Sequence, residues 1–532
     1  MAGLNLFSIP AGAPFLSVLA QALIAGRFGR AYDPGDPTAL SRTTLYLPTQ
    51  RAARAFSTIL SEKLGGRPLL LPRIVPLGDV DEAETALIAG AGDALALQRL
   101  APIDPLRRRF ILTTLISAWG RTANRQHLKL DPAEPSLMPA TLAEAWGLAG
   151  DLAHLLDQLQ TEGISPARLK GLDAARFDEI WQFNARFLDI IAQAWPSILE
   201  QRAECDPAEF RNRMLAAERE RLLAGDFHGP VIAAGSTGTV PATARLLAAL
   251  ARAPNGAVVL PDLDEALSEQ GWRAIVQEPA PSHPQAALHR LLDEIGANRD
   301  EVVTLAEPSP GLETRRDLLR RALLPASITD DWAGAAPLAA GALDGLRIVE
   351  AADEREEALV AALALREALE EPNARAALIT PDRGLAERVA VELRRWGIQA
   401  DDSAGMPLGR WPAGALLRLA LDAVEGDLSP ASLVALLAHP LCRLGLAELR
   451  LRQGAATLEI GCWRGEPVGP GFPGLRRAFE ALPELREATY APRPRRKLTD
   501  EDVGAAEQVL AGLEDALAPL MAALAGPAPE LR

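Results

Sequence analysis

Residues 229–264 read GPVIAAGSTGTVPATARLLAALARAPNGAVVLPDLD, and this stretch decides the fold. Two short apolar runs, at 231–234 and 256–260, flank a Gly/Ser/Thr loop and a segment at 242–253 with helical periodicity. Strand, helix and strand in this order predict a βαβ unit with parallel strands. The loop at 235–241 then lies at the carboxyl end of the first strand, where open α/β sheets bind their ligands.

The same alternation extends towards the N-terminus. Strand-like segments occur at 5–9, 43–47 and 68–74, and helical segments follow the first two of them. Between about 91 and 224 the apolar residues recur with a helical period and no strand pattern interrupts them. We therefore expect a first α/β domain formed by residues 1–90 plus 225–307, with a helical insertion at 91–224.

The second half of the chain repeats this plan. Residues 308–345 are rich in Pro, Ala and Gly and are expected to form a linker. Strand-like segments at 346–350, 376–380 and 397–400 alternate with helical ones, which predicts the start of a second parallel α/β domain at 346–410. Residues 411–532 are again helical, and the chain has the pattern of one cut before a further domain.

The positions of the few lysines exclude two common lysine-dependent motifs, the P-loop and the acidic-x-Lys nuclease motif. The 532 residues carry a formal net charge of −15, and only four of the 55 basic residues are lysines. No lysine precedes Ser or Thr, so the chain lacks the Gly-Lys-Ser/Thr of a phosphate-binding P-loop. No lysine stands two positions after an acidic residue, so the usual acidic-x-Lys nuclease motif is missing as well.

The cysteine and hydropathy patterns restrict the cellular compartment in which we expect the protein. Cys205, Cys442 and Cys462 are too few and too far apart for a disulfide framework, a zinc ribbon or a four-cysteine iron–sulfur cluster. No apolar run reaches the roughly 20 residues that a membrane-spanning helix needs, and the N-terminus lacks the basic start of a signal peptide. We expect a cytoplasmic protein with no membrane partner.

The loops that follow the first two strands differ in their capacity to bind anions. Thr49 can cap the helix that carries Arg51 and Arg54, which leaves helix amides and arginines facing an anion. The loop at 10–14 has one glycine and two prolines, which lack the N–H groups that a phosphate cradle needs. A local arginine-lined groove is compatible with an acidic chain, because charges act over a Debye length of about 10 Å.

As an ordered set, these segments resemble the AddB subunits of bacterial AddAB helicase–nucleases. The similarity spans residues 5 to about 445, and the stretches that carry it include LYLPTQRAARAF at 45–56, VIAAGSTGTVPAT at 231–243 and the segment at 376–408. The resemblance implies an α/β fold with two RecA-like parallel-sheet domains of the superfamily 1 helicase type and helical insertion domains. Ala11-Gly12-Ala13-Pro14 stands where the family's active relatives have Gly-Lys-Thr, so ATP hydrolysis is not implied.

The resemblance also implies candidate residues for binding nucleic acid. The segment with Thr49, Gln50 and Arg51, continued by Arg54, matches one that touches single-stranded DNA in related helicases. A further motif, which links nucleotide to DNA in active enzymes, corresponds to Ser236 and Thr237. The motif that opens the second motor domain corresponds to Thr380 and Asp382. No catalytic, cofactor-binding or metal-binding residue is carried over.

For the whole protein the resemblance implies double-strand break resection, DNA repair and homologous recombination. The expected partners are an AddA-like helicase–nuclease subunit and one strand of an unwound duplex. No cofactor is expected in this chain, since an iron–sulfur cluster and the nuclease magnesium would lie in a C-terminal half.

Two other functions stay open from the residues alone. A metal-dependent nucleotide or sugar-nucleotide enzyme would use the Asp262-x-Asp264 pair that follows the second strand of the quoted unit. A helical adaptor that binds protein but not DNA would need neither this pair nor the candidate DNA-binding residues.

Overall fold

The computed structural model describes residues 4–29, 31–66, 70–77, 101–122, 141–165, 168, 179–227, 229–277, 282–308, 311–464 and 467–525. Parts of the predicted first domain and insertion, including residues 78–100, 123–140 and 169–178, lie outside these ranges. The chain divides into two compact units, Met1–Leu346 and Arg347–Arg532. Each unit has its own hydrophobic core.

A six-stranded parallel sheet organises the first unit, in the order β3-β2-β6-β7-β1-β8. The strands are β1 (Leu6–Ile9), β2 (Thr44–Leu47), β3 (Arg73–Pro76), β6 (Val231–Ala234), β7 (Gly256–Pro261) and β8 (Val303–Thr304). Leu45 lies opposite Ile232, and Phe7 lies opposite Val259. The predicted α/β class and the parallel pairing of the two quoted strands are confirmed.

Helices cover both faces of this sheet, because successive strand residues point to opposite sides. The helices are α1 (Phe15–Ile24), α2 (Gln50–Lys63), α7 (Pro241–Arg252), α8 (Glu269–Ala274) and α9 (Ala286–Ile295). One buried layer contains Leu19, Leu45, Phe56, Ile232 and Val259. The opposite layer contains Tyr46, Val231, Leu247, Val258 and Leu291. This double cover explains why the strands are continuous apolar runs.

The insertion between β3 and β6 is mainly helical in its described part. It contains β4 (Ala101–Pro102), α3 (Pro105–Thr122), α4 (Leu142–Thr161), α5 (Glu179–Arg202), β5 (Glu204–Cys205) and α6 (Pro207–Ala224). The short strands β4 and β5 pair in parallel. Tyr46 ties the sheet to α6, since its hydroxyl donates to Glu218, and burial raises the pKa of Tyr46 well above its usual value.

A buried carboxylate holds three helices of the insertion together. Asp206 is 0% exposed and lies 2.8 Å from the Nε of Arg108 on α3. The indole N–H of Trp195 on α5 donates to it at 2.9 Å, and the amide of Gln160 on α4 donates at 2.6 Å. Since each buried charge needs a partner, these groups fix the packing of the insertion.

Replacing Asp206 by alanine should strongly destabilise the first unit. The change leaves Arg108 as a buried charge without its inner partner, which costs about 3–5 kcal/mol. Urea unfolding followed by circular dichroism measures the loss. The matched control is Asp157→Ala, which removes the half-exposed carboxylate 2.7 Å from Arg108 and should cost less than about 1 kcal/mol. Equal losses in the two variants would contradict this account.

The segment 308–345, which was expected to form a linker, contains a helix in the structure. Residues Leu312–Ala322 form helix α10, and the segment belongs to the first unit. Arginines of α10 form ion pairs with Asp262 and Asp264, which follow β7. The composition of the segment indicated a linker, but the charge pattern LETRRDLLRRA matches the acidic residues at the end of a strand.

The second unit contains helices in its described part. They are α11 (Glu354–Ala368), α12 (Arg383–Arg394), α13 (Pro412–Glu425), α14 (Pro430–Ala438), α15 (Glu448–Leu458), α16 (Gly471–Glu480), α17 (Leu482–Glu487), α18 (Arg493–Arg496) and α19 (Asp500–Ala525). A large core joins α13 to α17 and α19, and includes Leu433, Leu451, Phe472 and Val509. A separate small core lies between α11 and α12.

The strands predicted at 346–350, 376–380 and 397–400 are not strands in the structure. Ile348 and Ile379 are each 93% exposed, although apolar residues of this kind are normally buried in a parallel sheet. The helices between these segments form where the sequence places them, because helices make their hydrogen bonds locally. A strand needs a paired neighbour, and these segments have none in the described part of this unit.

None of the helices described here combines the length and the apolar character that crossing a bilayer requires.

Candidate nucleic-acid interface

The loops after β1, β2, β6 and β7 come together at one edge of the first sheet. All six strands are parallel, so their carboxyl ends face the same side. Gly235, directly after β6, has a φ of 82°. A Cβ there would lie 3.2 Å from Pro48, which follows β2, and 3.4 Å from the ring of Phe15, the first residue of α1. Glycine therefore permits the close packing of these loops.

The carboxylate of Asp262 accepts a hydrogen bond from the loop after β1. The N–H of Ala11 donates to Oδ1 of Asp262 at 2.9 Å. Asp262 comes immediately after β7, the strand adjacent to β1, and its φ of 47° places it in the left-handed region. Asp is one of the few residues that adopt this conformation readily. A backbone amide that a nucleotide phosphate could use is thereby bound to the protein's own carboxylate.

Helix α10 covers the same loop. A Cβ at Gly12, whose φ is 86°, would lie 2.6 Å from Cδ1 of Leu312, so the loop and the helix are in close contact. Arg316 reaches Asp262 at 3.5 Å, and Nε of Arg320 lies 2.9 Å from Asp264. The first residue of α10 and two of its arginines therefore fill the space above β1 and β7.

The Asp262-x-Asp264 pair is held by further hydrogen bonds. The amide of Gln285 donates to the carbonyl of Asp262 at 2.8 Å and accepts from the N–H of Asp264 at 3.0 Å. Burial lowers the pKa of the nearby His283, and the charge of Asp264 opposes this shift. Both carboxylates face arginines, and these guanidinium groups would compete with a divalent cation for the carboxylate oxygens. Among the described residues there is no group of three or more His, Cys, Asp or Glu placed to hold a metal ion.

The predicted DNA-binding residues of the first unit lie at this edge. Thr49 caps α2, and its hydroxyl accepts from the N–H of Ala52 at 3.1 Å. Gln50 is half-buried, whereas Arg51 and Arg54 are exposed in the first turns of α2. The edge therefore presents cationic side chains beside the N-terminus of a helix, which favours contact with an anion.

Ser236 and Thr237 lie at the same edge, in the loop after β6. Both are half-buried, and the Ser236 hydroxyl accepts from the N–H of Gly238 at 3.3 Å. The contact of Gly235 with Pro48 places this loop next to the one that carries Thr49. The structure thus brings together two segments that are almost 190 residues apart in the sequence.

Thr380 and Asp382 belong to the second unit, where they precede α12 and Asp382 is its N-cap. The N–H of Asp382 donates to the Thr380 hydroxyl at 3.0 Å, and the Asp382 carboxylate accepts from the N–H of Gly384 at 2.7 Å. Arg383 forms a two-pronged ion pair with Asp402, at 2.9 and 2.7 Å. These contacts show a helix cap and its neighbour, and they give the two residues a local structural role.

Sequence reasoning missed the residues of α10 that complete the site. Leu312, Arg316 and Arg320 were assigned to a linker, although they recur every four residues and so share one helix face. That spacing is the signal that could have identified them.

Comparison with known proteins identifies no relative: no family model matches the chain, and no curated protein matches its sequence. The fold and the site define the class of protein as a mixed α/β protein with a parallel sheet.

Replacing Thr49 by alanine should lower the free energy of unfolding by about 1 kcal/mol, because the N–H of Ala52 loses its acceptor. Thr49→Ser should keep most of the stability. Urea unfolding checks both variants. The control is Thr58→Ala on the same helix, an exposed position where alanine should change stability by less than about 0.5 kcal/mol. A Thr49→Ala variant as stable as the wild type would argue against the cap.

Proposed function

We propose that this chain is the helicase-like, non-hydrolysing and DNA-binding part of an AddB-type helicase–nuclease subunit, which acts in double-strand break resection and homologous recombination. One observation carries the proposal: the Asp262 carboxylate accepts the Ala11 amide at the end of β1. The sheet keeps the layout of a nucleotide-binding domain, but the protein itself fills the position of the phosphate.

The absence of hydrolysis follows from charge. A triphosphate brings several negative charges, and here it would meet the carboxylate of Asp262 instead of a lysine ammonium. The arginines nearest to the loop, Arg316 and Arg320, are already paired with Asp262 and Asp264. ATP binding would need to displace these ion pairs and the contact of Leu312 with Gly12.

DNA binding is supported by the neighbouring loops. Thr49, Arg51 and Arg54 lie at the N-terminus of α2, and Ser236 and Thr237 lie in the adjoining loop. Phosphates dominate the affinity of proteins for nucleic acid, and exposed arginines near helix amides suit them. In this proposal the first unit is a degenerate RecA-like domain that holds one separated strand.

Residues 346–410 and the expected partner subunit complete the proposed assembly. Helices α11 and α12, which form where their periodicity predicts, support a second RecA-like domain that includes Thr380 and Asp382, although the segments predicted as its strands form no sheet in the described part of this unit. An AddA-like subunit would supply the motor. The iron–sulfur cluster and the nuclease magnesium would belong to a C-terminal nuclease region, and this chain would act in the cytoplasm.

Removing Arg51 and Arg54 should weaken binding of single-stranded DNA. If each arginine contacts one phosphate, the slope of log affinity against log salt should become shallower by about 1.4. Fluorescence anisotropy of a labelled oligothymidylate at several salt concentrations measures the change for Arg51→Ala/Arg54→Ala.

The control for this experiment is Lys63→Ala/Arg213→Ala. It removes the same charge from two exposed sites, one of them at the other end of α2. The control should keep the slope of the wild type. The proposal fails if the wild type does not bind the oligonucleotide at low salt, or if both double variants behave alike.

ATP should give no saturable heat on titration with magnesium present, and DNA should stimulate no phosphate release. Asp262 and Leu312 occupy the loop that ATP would need. Calorimetry and a phosphate-release assay make the measurement. ATP turnover that stays with the protein through successive purification steps would overturn the non-hydrolysing assignment.

A further inference from the structure

A small cavity lies where the helical insertion meets the first sheet domain. Its volume is about 60 Å³, enough for a few waters or one phosphate-sized group. Three helices supply its walls: α4 contributes Thr161, its last residue, α6 contributes Asn212 and Arg219, and α7 contributes Ala242 and Arg245. Two arginines from different layers of the structure therefore meet at one cavity.

Neither arginine has a carboxylate partner in the part of the chain that the structure describes. Other arginines of α6 do, since Arg213 pairs with Glu209, and Arg221 pairs with Glu218 at 2.8 Å. Arg219 is nevertheless half-buried. A partly desolvated guanidinium without a counter-ion is costly, and in a chain of net charge −15 it is unusual. An anionic ligand would relieve this cost.

Side-chain hydrogen bonds connect the end of α4 to α6. The amide of Asn212 donates to the carbonyl of Gln160 at 2.6 Å, and Arg211 donates to the Thr161 hydroxyl at 2.9 Å. These contacts hold α4 against α6, and Arg219 and Arg245 are the cationic side chains that line the cavity. The Arg245 guanidinium lies over Gly163, 3.9 Å from the position that a Cβ would take.

The cavity belongs to the edge that carries the candidate DNA-binding residues. Helix α7 starts directly after the loop with Ser236 and Thr237, and Arg245 is its fifth residue. Pro241 begins the helix and no side chain caps it. The positive end of the helix therefore adds to the potential of the two arginines.

We propose that Arg219 and Arg245 bind a backbone phosphate of single-stranded DNA at the junction of the insertion and the sheet. This inference rests on the proposed function and extends its binding surface from α2 and the β6 loop to α6 and α7. Guanidinium groups suit this role, because their planar N–H donors match the oxygens of a phosphate.

The test compares Arg219→Gln/Arg245→Gln with Lys63→Gln/Arg213→Gln, which removes equal charge and changes another residue of α6. Anisotropy with oligothymidylate should show a several-fold weaker affinity and a salt slope shallower by about 0.7, the value for one lost phosphate contact, for the first variant only. Inorganic pyrophosphate, as a second probe, should raise the melting temperature of the wild type and of the control, but not of this variant. If the double variant is unstable, the single variant Arg245→Gln replaces it in both measurements, because Arg245 is exposed.

The outcomes separate this inference from the proposed function. If Arg51→Ala/Arg54→Ala weakens DNA binding and Arg219→Gln/Arg245→Gln does not, the inference is overturned and the proposed function stands. If the wild type binds no DNA, the DNA assignment and the proposed function both fail. Under that outcome, the melting temperatures with pyrophosphate decide about the cavity. If pyrophosphate stabilises the wild type and the control but not Arg219→Gln/Arg245→Gln, the cavity is a phosphate site. If pyrophosphate stabilises none of the proteins, the phosphate site is overturned too.

Discussion

The hydrogen bond from Ala11 to Asp262 is the interaction on which the arrangement of loops at the sheet edge depends. It joins the ends of β1 and β7, two adjacent parallel strands, and it places a carboxylate against the loop that follows β1. The left-handed backbone of Asp262 and the seating of Leu312 against Gly12 belong to the same arrangement. The loop after β1 is therefore part of the protein's own packing.

Two sets of arginines at or near this edge of the sheet differ in their partners. Arg316 and Arg320 pair with Asp262 and Asp264 and attach α10 to the sheet. The exposed Arg54 and the pair formed by Arg219 and Arg245 have no carboxylate partner in the described ranges, and they lie at the same edge or next to it. In an acidic chain, a short row of such groups creates a local positive potential that salt would screen. Such a surface suits a phosphate backbone better than a small neutral ligand.

The fold of the first unit could be predicted from particular stretches, and the second unit could be predicted only in part. The runs at 231–234 and 256–260 are apolar on both faces, which is characteristic of parallel strands, and they pair as expected. Helices α11 and α12 also form where their periodicity indicates, but the segments around Ile348 and Ile379 remain outside any sheet. Helical hydrogen bonds lie within four residues of each other, whereas a strand depends on neighbours that the local sequence does not specify.

By itself the sequence determined the parallel α/β class, the helical insertion, the cap at Thr49, and the lack of a lysine for phosphate chemistry. These features follow from the periodicity of apolar residues, from single residue types, or from the count of lysines. They can therefore be predicted without three-dimensional information. Only the tertiary structure decided that Asp262 reaches the loop of β1, that α10 packs on this edge, and that Arg219 meets Arg245. Those contacts join residues that are 26 to more than 250 positions apart, and their geometry follows from the strand order of the sheet and the packing of its helices.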